Sequence, residues 1–265
     1  MNAPRHKGAR QGPFFVLLVA IPLLLGTDIT SWATENTMDD TTHTVLITGA
    51  NRGIGLELAR QYAAAGWHVI GTARKPTSAD ELDAIAAKIV QLDVTDPDSV
   101  EQMAQDLAGT PIDVLINNAG IQPLMWKLDE IDFNAFDRAL DVNLTGPVRV
   151  TKALLPHLRN GKLRKIINVT TNLSSIADNT DGGFYGYRES KAGLNMFTKS
   201  IAAELGPEGF ICIVLHPGWV KTDLGGPQAP LEVEESAAGI LRVIDGLAPT
   251  DNGTFWTYAG EQMAW

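Results

Sequence analysis

The chain has a single cysteine, Cys212, among 265 residues, so neither an internal disulfide nor a cysteine-rich metal centre is expected. Histidines number five, and no two stand at the spacing of a zinc site. That argues against a metal-dependent hydrolase and leaves no metal expected. Basic residues are the minority: 21 Lys and Arg face 31 Asp and Glu, a formal net charge of −10. Phosphate-backbone contacts need clustered positive charge, so nucleic acid is not an expected partner. Beyond residue 41 no apolar run approaches the roughly 20 residues that span a bilayer, so the body should hold no stable membrane span. It also lacks internal repeats, low-complexity tracts and any Pro/Gly/Ser linker long enough to divide it. What remains is 45% hydrophobic and 20% charged, the composition of a folded globular domain.

Residues 1–41 read as a leader separate from the domain at 42–265. Arg5, His6, Lys7 and Arg10 precede an apolar run from Phe14 to Gly26, and Ser31-Trp32-Ala33 offers a small-x-small site. That is the three-part layout of a secretory signal peptide. A start at Met38, close before the first strand, is the competing reading, and an uncleaved anchor is a third.

The body alternates short apolar runs with helical periodicity. Strands are expected at 44–48, 67–73, 88–92, 113–116, 165–169, 211–215 and 253–258. Helices are expected at 54–65, 79–87, 99–107, 187–205 and 232–247, with long helical stretches within 132–158. Such alternation predicts an α/β fold, a single doubly wound Rossmann-type domain with a parallel sheet covered on both faces.

The first strand runs into Thr48-Gly49-Ala50-Asn51-Arg52-Gly53-Ile54-Gly55. Glycines at 49, 53 and 55 allow positive φ and close approach of a pyrophosphate, and the helix opening there points unpaired N–H groups at it. Asn51 and Ile54 belong to the same loop. An acidic residue at the end of the second strand would bind the adenosine ribose of NAD. Here the strand ends Thr72-Ala73-Arg74-Lys75. Arg52 and Arg74 suit a 2′-phosphate instead, so NADP(H) is the expected cofactor. Tyr187 and Lys191 stand at i and i+4, on one helix face, where the ammonium would lower the phenol's pKa.

With Asp93 after the third strand, Asn117-Asn118-Ala119-Gly120 after the fourth, Asn143, and Tyr187-Arg188-Glu189-Ser190-Lys191, the body resembles the short-chain dehydrogenase/reductase family. Residues 179–188, 216–226 and the Trp265 ending resemble its C-factor-like carbonyl reductase branch. The resemblance implies that Tyr187 donates the proton in carbonyl reduction, that Lys191 also holds the nicotinamide ribose, and that Asn143 supports the pair through a water relay. It also implies that Asp93 and Val94 flank the adenine and that Asn117, Ala119 and Gly120 line the cofactor trough. Pro217, Gly218, Val220 and Thr222 would lie near the nicotinamide. The family usually places a serine after the fifth strand to orient the substrate. Counting from the strand selects Thr171, counting back from Tyr187 selects Ser174, and Ser175 is the third alternative.

The segment from Thr222 to Glu232, where the family carries its substrate lid, is short, which implies an open site for a broad or bulky carbonyl substrate. Met125, Trp126 and Trp219 are expected as apolar walls, with core packing the alternative for each. Cys212 reads as a buried apolar residue rather than a nucleophile. The functional expectation is an NADPH-dependent oxidoreductase reducing a ketone or aldehyde. The alternative is a C-factor-like signalling protein that binds nucleotide without needing turnover. A homodimer through the Tyr187 helix is the partner the family pattern leaves open. NADPH is recycled in the cytoplasm, which favours a cytoplasmic site of action, with export through the leader as the alternative.

Overall fold

The computed structural model describes residues 42–265. The expectations for residues 1–41 lie outside the described residues. Seven strands form one parallel sheet in the order β3-β2-β1-β4-β5-β6-β7. They are β1 (Thr44–Ile47), β2 (His68–Ala73), β3 (Lys88–Gln91), β4 (Val114–Asn117), β5 (Lys165–Val169), β6 (Ile211–His216) and β7 (Phe255–Thr257). The helices are α1 (Gly53–Ala64), α2 (Asp80–Asp83), α3 (Pro97–Asp106), α4 (Phe133–Leu140), α5 (Gly146–Asn160), α6 (Tyr187–Leu205) and α7 (Val233–Gly246).

Alternation along each strand sorts the core into two layers. Val45 and Ile47 of β1 pack with Leu58 and Tyr62 of α1 and with Ile240 and Ile244 of α7. Leu46 between them faces the other way, toward Met103 of α3, Leu154 of α5 and Leu205 of α6. The sheet runs outward from β1 to β3, then resumes at β4 on the opposite side of β1. This reversal opens a crevice beyond the carboxyl ends of β1 and β4, where ligands of open α/β sheets bind. At the other end of β4, Asp113 accepts the Thr44 N–H (2.8 Å) and the Lys162 N–H (2.7 Å), tying β1 and the α5–β5 turn to the same carboxylate.

One expected helix differs. Periodicity predicts a helix over 79–87, but α2 ends at Asp83. The Ala87 N–H already bonds Val69 O, so the chain has joined the sheet, leaving Leu82 buried over Gly71. The helical stretches expected within 132–158 are α4 and α5. Residues Asp141–Thr145 are wound as a wider π-helical turn between α4 and α5, which brings Asn143 inward, fully buried. Among the described residues no helix is long and apolar enough to cross a membrane.

Candidate active site

The glycine loop follows β1 directly. Gly49 and Gly53 have positive φ, 65° and 54°. A Cβ on Gly55 would stand 2.4 Å from Gly49 O and 2.6 Å from Asn118 Nδ2, so backbone fills the space a side chain would need. The first turn of α1 contains no acidic residue, and Arg52 at its N-cap makes no side-chain capping bond. The leading N–H groups of α1 therefore meet no capping side chain, and this cradle of backbone dipoles fits a pyrophosphate.

Three motif residues given no role of their own from the sequence hold the loop. Thr48 Oγ1 accepts the N–H groups of Asn118 and Ala119, each at 3.0 Å. Asn118 Nδ2 donates back to Thr48 O (2.9 Å) and Gly49 O (3.2 Å). Thr72 Oγ1 accepts the Gly49 N–H. Their signal in the sequence is only that small polar residues flank the glycines at strand ends. Thr222 packs on Gly53, its Cγ2 3.3 Å from where a Cβ would be, which brings the 217–222 segment onto the phosphate loop.

Around this cradle the expected residues divide. Arg52 is exposed and pairs with Asp223 at 3.0 Å, a contact that solvent weakens. Arg74 is exposed at the end of β2. Asp93 accepts from the Thr95 hydroxyl (2.7 Å) and N–H (3.0 Å), and these bonds hold its carboxyl below the usual range, with help from the Arg74 charge. Val94 is buried against Gly146. Ala119 lies against Gly49, and Gly120 against Asn143 and Lys191. Pro217 and Val220 are buried; Pro217 O accepts the Ser236 hydroxyl, and Val220 pairs with Leu231. Gly218 takes φ 89° beneath Tyr258. The Asn117 side chain is 2% exposed and donates to Asn168 (2.8 Å) and Thr151 (3.1 Å), across to β5 and α5.

At the reaction end, Tyr187 opens α6 after Gly186, whose N–H donates to Glu189. Burial pushes the Tyr187 phenol up to about 12, partly opposed by the Thr171 side chain. The direction is opposite to the lowering expected from the Lys191 ammonium: burial dominates, and the opposing contribution comes from Thr171. Lys191 is buried too, pulled down to about 8, and donates to Val169 O at 2.7 Å. Asn143 Oδ1 accepts the Ile121 N–H, and its Nδ2 donates to Ile121 O (2.8 Å) and Ser190 Oγ (3.0 Å). The side chain thus locks the chain after Gly120 onto α6.

The three hydroxyl alternatives separate here. Thr171, whose Oγ1 donates to Asn172 Oδ1 at 3.2 Å, is the one of the three that acts on the Tyr187 phenol. Ser174 donates to Thr171 O (2.5 Å), accepts from Asn195 Nδ2 (2.9 Å) and shares a bond with Thr170 (3.0 Å), so its hydroxyl is committed within the fold. Ser175 Oγ accepts the Asp178 N–H. Of the expected walls, Met125 is buried, whereas Trp126 and Trp219 are 55% and 57% exposed. Trp126 stacks on Phe184 (centroids 4.1 Å apart), and Trp219 Nε1 donates to Gly225 O. Cys212 is buried, and burial pushes its thiol up to about 12.

A family model described as short chain dehydrogenase matches residues 43–231. Among solved structures, the carbonyl reductase Sniffer of D. melanogaster is 35% identical, with a TM-score of 0.78 over 84% of this chain and 100% of that one. A carbonyl reductase from chicken fatty liver, solved with NADPH bound, is 34% identical, with a TM-score of 0.77 over 84% and 99%. The C-signal protein of Myxococcus xanthus is 49% identical over 162 residues, 61% of this chain and 98% of that protein.

Proposed function

The chain belongs to the short-chain dehydrogenase family, and from that premise we propose that it is an NADPH-dependent reductase of ketone or aldehyde carbonyls, with Tyr187 as the proton donor. The observation that carries the reading is that Tyr187 and Lys191, both buried, stand one helical turn apart on α6, with Asn143 bonded to Ser190 between them. Bound nicotinamide supplies the hydride. Tyr187 holds its proton at Oη well above neutral pH and delivers it to the carbonyl oxygen. The Thr171 hydroxyl, beside it, orients that oxygen. Lys191 brings positive charge to the place where negative charge develops. Asn143 Oδ1 and Lys191 Nζ both lie beside the point a Gly120 Cβ would occupy, so Asn143, bonded to Ile121 and Ser190, fixes the chain next to the ammonium. NADPH consumption with para-nitrobenzaldehyde, followed by a wider set of aldehydes, ketones and quinones, tests the reading. Turnover with none of them would overturn it.

The backbone cradle at Gly49–Gly55 would hold the pyrophosphate, and Arg52 and Arg74 would meet the 2′-phosphate. NADPH is expected to bind at least about tenfold tighter than NADH, since tenfold is about 1.4 kcal/mol, within one charge-assisted contact. Arg74→Asp should narrow or invert the preference. Equal dissociation constants in the unaltered protein would refute this.

We place the site of action in the cytoplasm, where NADPH is regenerated, and the fold in residues 42–265. A chain begun at Met38 is expected to bind NADPH and turn over as the full chain does. Identification of the native N-terminus by mass spectrometry checks the compartment, because a terminus at Thr34 would mean export. The identity to C-signal favours one second reading, a signalling protein that needs no turnover. Biological activity retained by Tyr187→Phe would select it.

A further inference from the structure

Between the turn carrying Thr171 and the helix carrying Tyr187 lies a loop with little to hold it. Residues 176–182 are all exposed, and Ile176, its one large apolar side chain, is 79% exposed. Most of its hydrogen bonds are local. Asp178 N–H donates to Ser175 Oγ, Asn179 N–H to Ile176 O, Thr180 N–H to Asp178 O, and Gly182 N–H to Asn179 Oδ1. Among the described residues, a single hydrogen bond ties this loop to a distant part of the chain: the Ala177 N–H donates to Trp265 O at 3.0 Å.

Trp265 is itself anchored. Gly260–Trp265 folds back along the outer edge of β7, where Thr257 N–H donates to Glu261 O and Met263 N–H to Phe255 O, both at 2.8 Å. Trp256 pairs with Gln262 in the antiparallel sense. The Trp265 ring packs 5.8 Å from the Phe255 ring, and Lys199 Nζ lies 5.4 Å from its centroid while donating to Gly253 O at 2.8 Å. A ring held on β7 and α6 thus fixes the one carbonyl that restrains the loop.

We propose that Trp265 is a positioning residue for the substrate: through Ala177 it sets the 176–182 loop that joins the Thr171 turn to the Tyr187 helix. The proposal rests on the carbonyl reductase reading. It acts on substrate rather than cofactor, because the glycine cradle lies on β1 and α1 and makes no contact with this tie.

The test compares the full chain with Trp265→Ala and Trp265→Phe. Hydrogen exchange of the peptide spanning 176–182 should be about fivefold faster in Trp265→Ala, corresponding to about 1 kcal/mol for one lost hydrogen bond. KM for para-nitrobenzaldehyde should rise by a similar factor with kcat less affected. NADPH Kd should stay unchanged, which also reports an intact fold. Trp265→Phe, which keeps a ring against Phe255, should restore both values most of the way. Unchanged exchange in Trp265→Ala overturns the proposal, and so does faster exchange with KM unmoved. If the unaltered protein turns over no carbonyl, the reductase reading fails, and exchange alone decides whether Trp265 holds the loop.

Discussion

Replacing Tyr187 by Phe is expected to lower kcat for carbonyl reduction by about a thousandfold, the middle of the range for a positioned general acid. NADPH affinity should hardly change, because only the hydroxyl is removed and the ring remains packed at the start of α6. Steady-state rates measured with cofactor titrations check both halves. A variant keeping more than about a tenth of the rate would overturn the assignment of Tyr187 as donor. The pH profile adds a sign. Burial keeps Tyr187 protonated up to about 12, so the acid stays in its working form across the neutral range. Lys191, pulled down to about 8 by burial, passes from ammonium to amine as pH rises through that value. Reduction should therefore decline above about pH 8 and be flat below it. Lys191→Met should lack that step and weaken NADPH binding as well.

Gly55→Ala is expected to weaken NADPH binding by at least about tenfold, since overpacking of this kind costs about 1–3 kcal/mol. The added methyl would meet Gly49 O at 2.4 Å and Asn118 Nδ2 at 2.6 Å. Neither can yield without loosening the loop, because Asn118 Nδ2 is the group that pins Thr48 O and Gly49 O. Gly246→Ala, where a Cβ meets nothing within 4 Å, is the matched control and should leave affinity as it is. Titration of both variants with NADPH, alongside urea unfolding, separates lost binding from lost stability. Equal affinity for Gly55→Ala and the unaltered protein would refute the cradle.

How much of this was legible in advance follows from the range of each interaction. Strand and helix alternation, the glycines of the 48–55 loop and the i,i+4 pairing of Tyr187 with Lys191 are local properties of the chain. Backbone sterics and periodicity express them wherever they occur, and the sequence by itself determined the doubly wound α/β class and the place of the glycine loop within it. α2 is shorter than the helical periodicity of residues 79–87 predicts, because β3 pairing claims the backbone from Ala87 onward. Thr171 and Ser174 are three residues apart with the same chemistry, so only the burial of Ser174 among Thr170, Thr171 and Asn195 separates them. The bond from Asn117 could not be read without knowing that β5 places Asn168 in register beside it. Likewise nothing near Ala177 announces Trp265, 88 positions away, as the partner of its N–H. These features depend on which strands become neighbours and on the burial that pushes Tyr187 up and Lys191 down. Tertiary structure alone decided them, because desolvation and cross-strand hydrogen bonds exist only once distant segments have packed together.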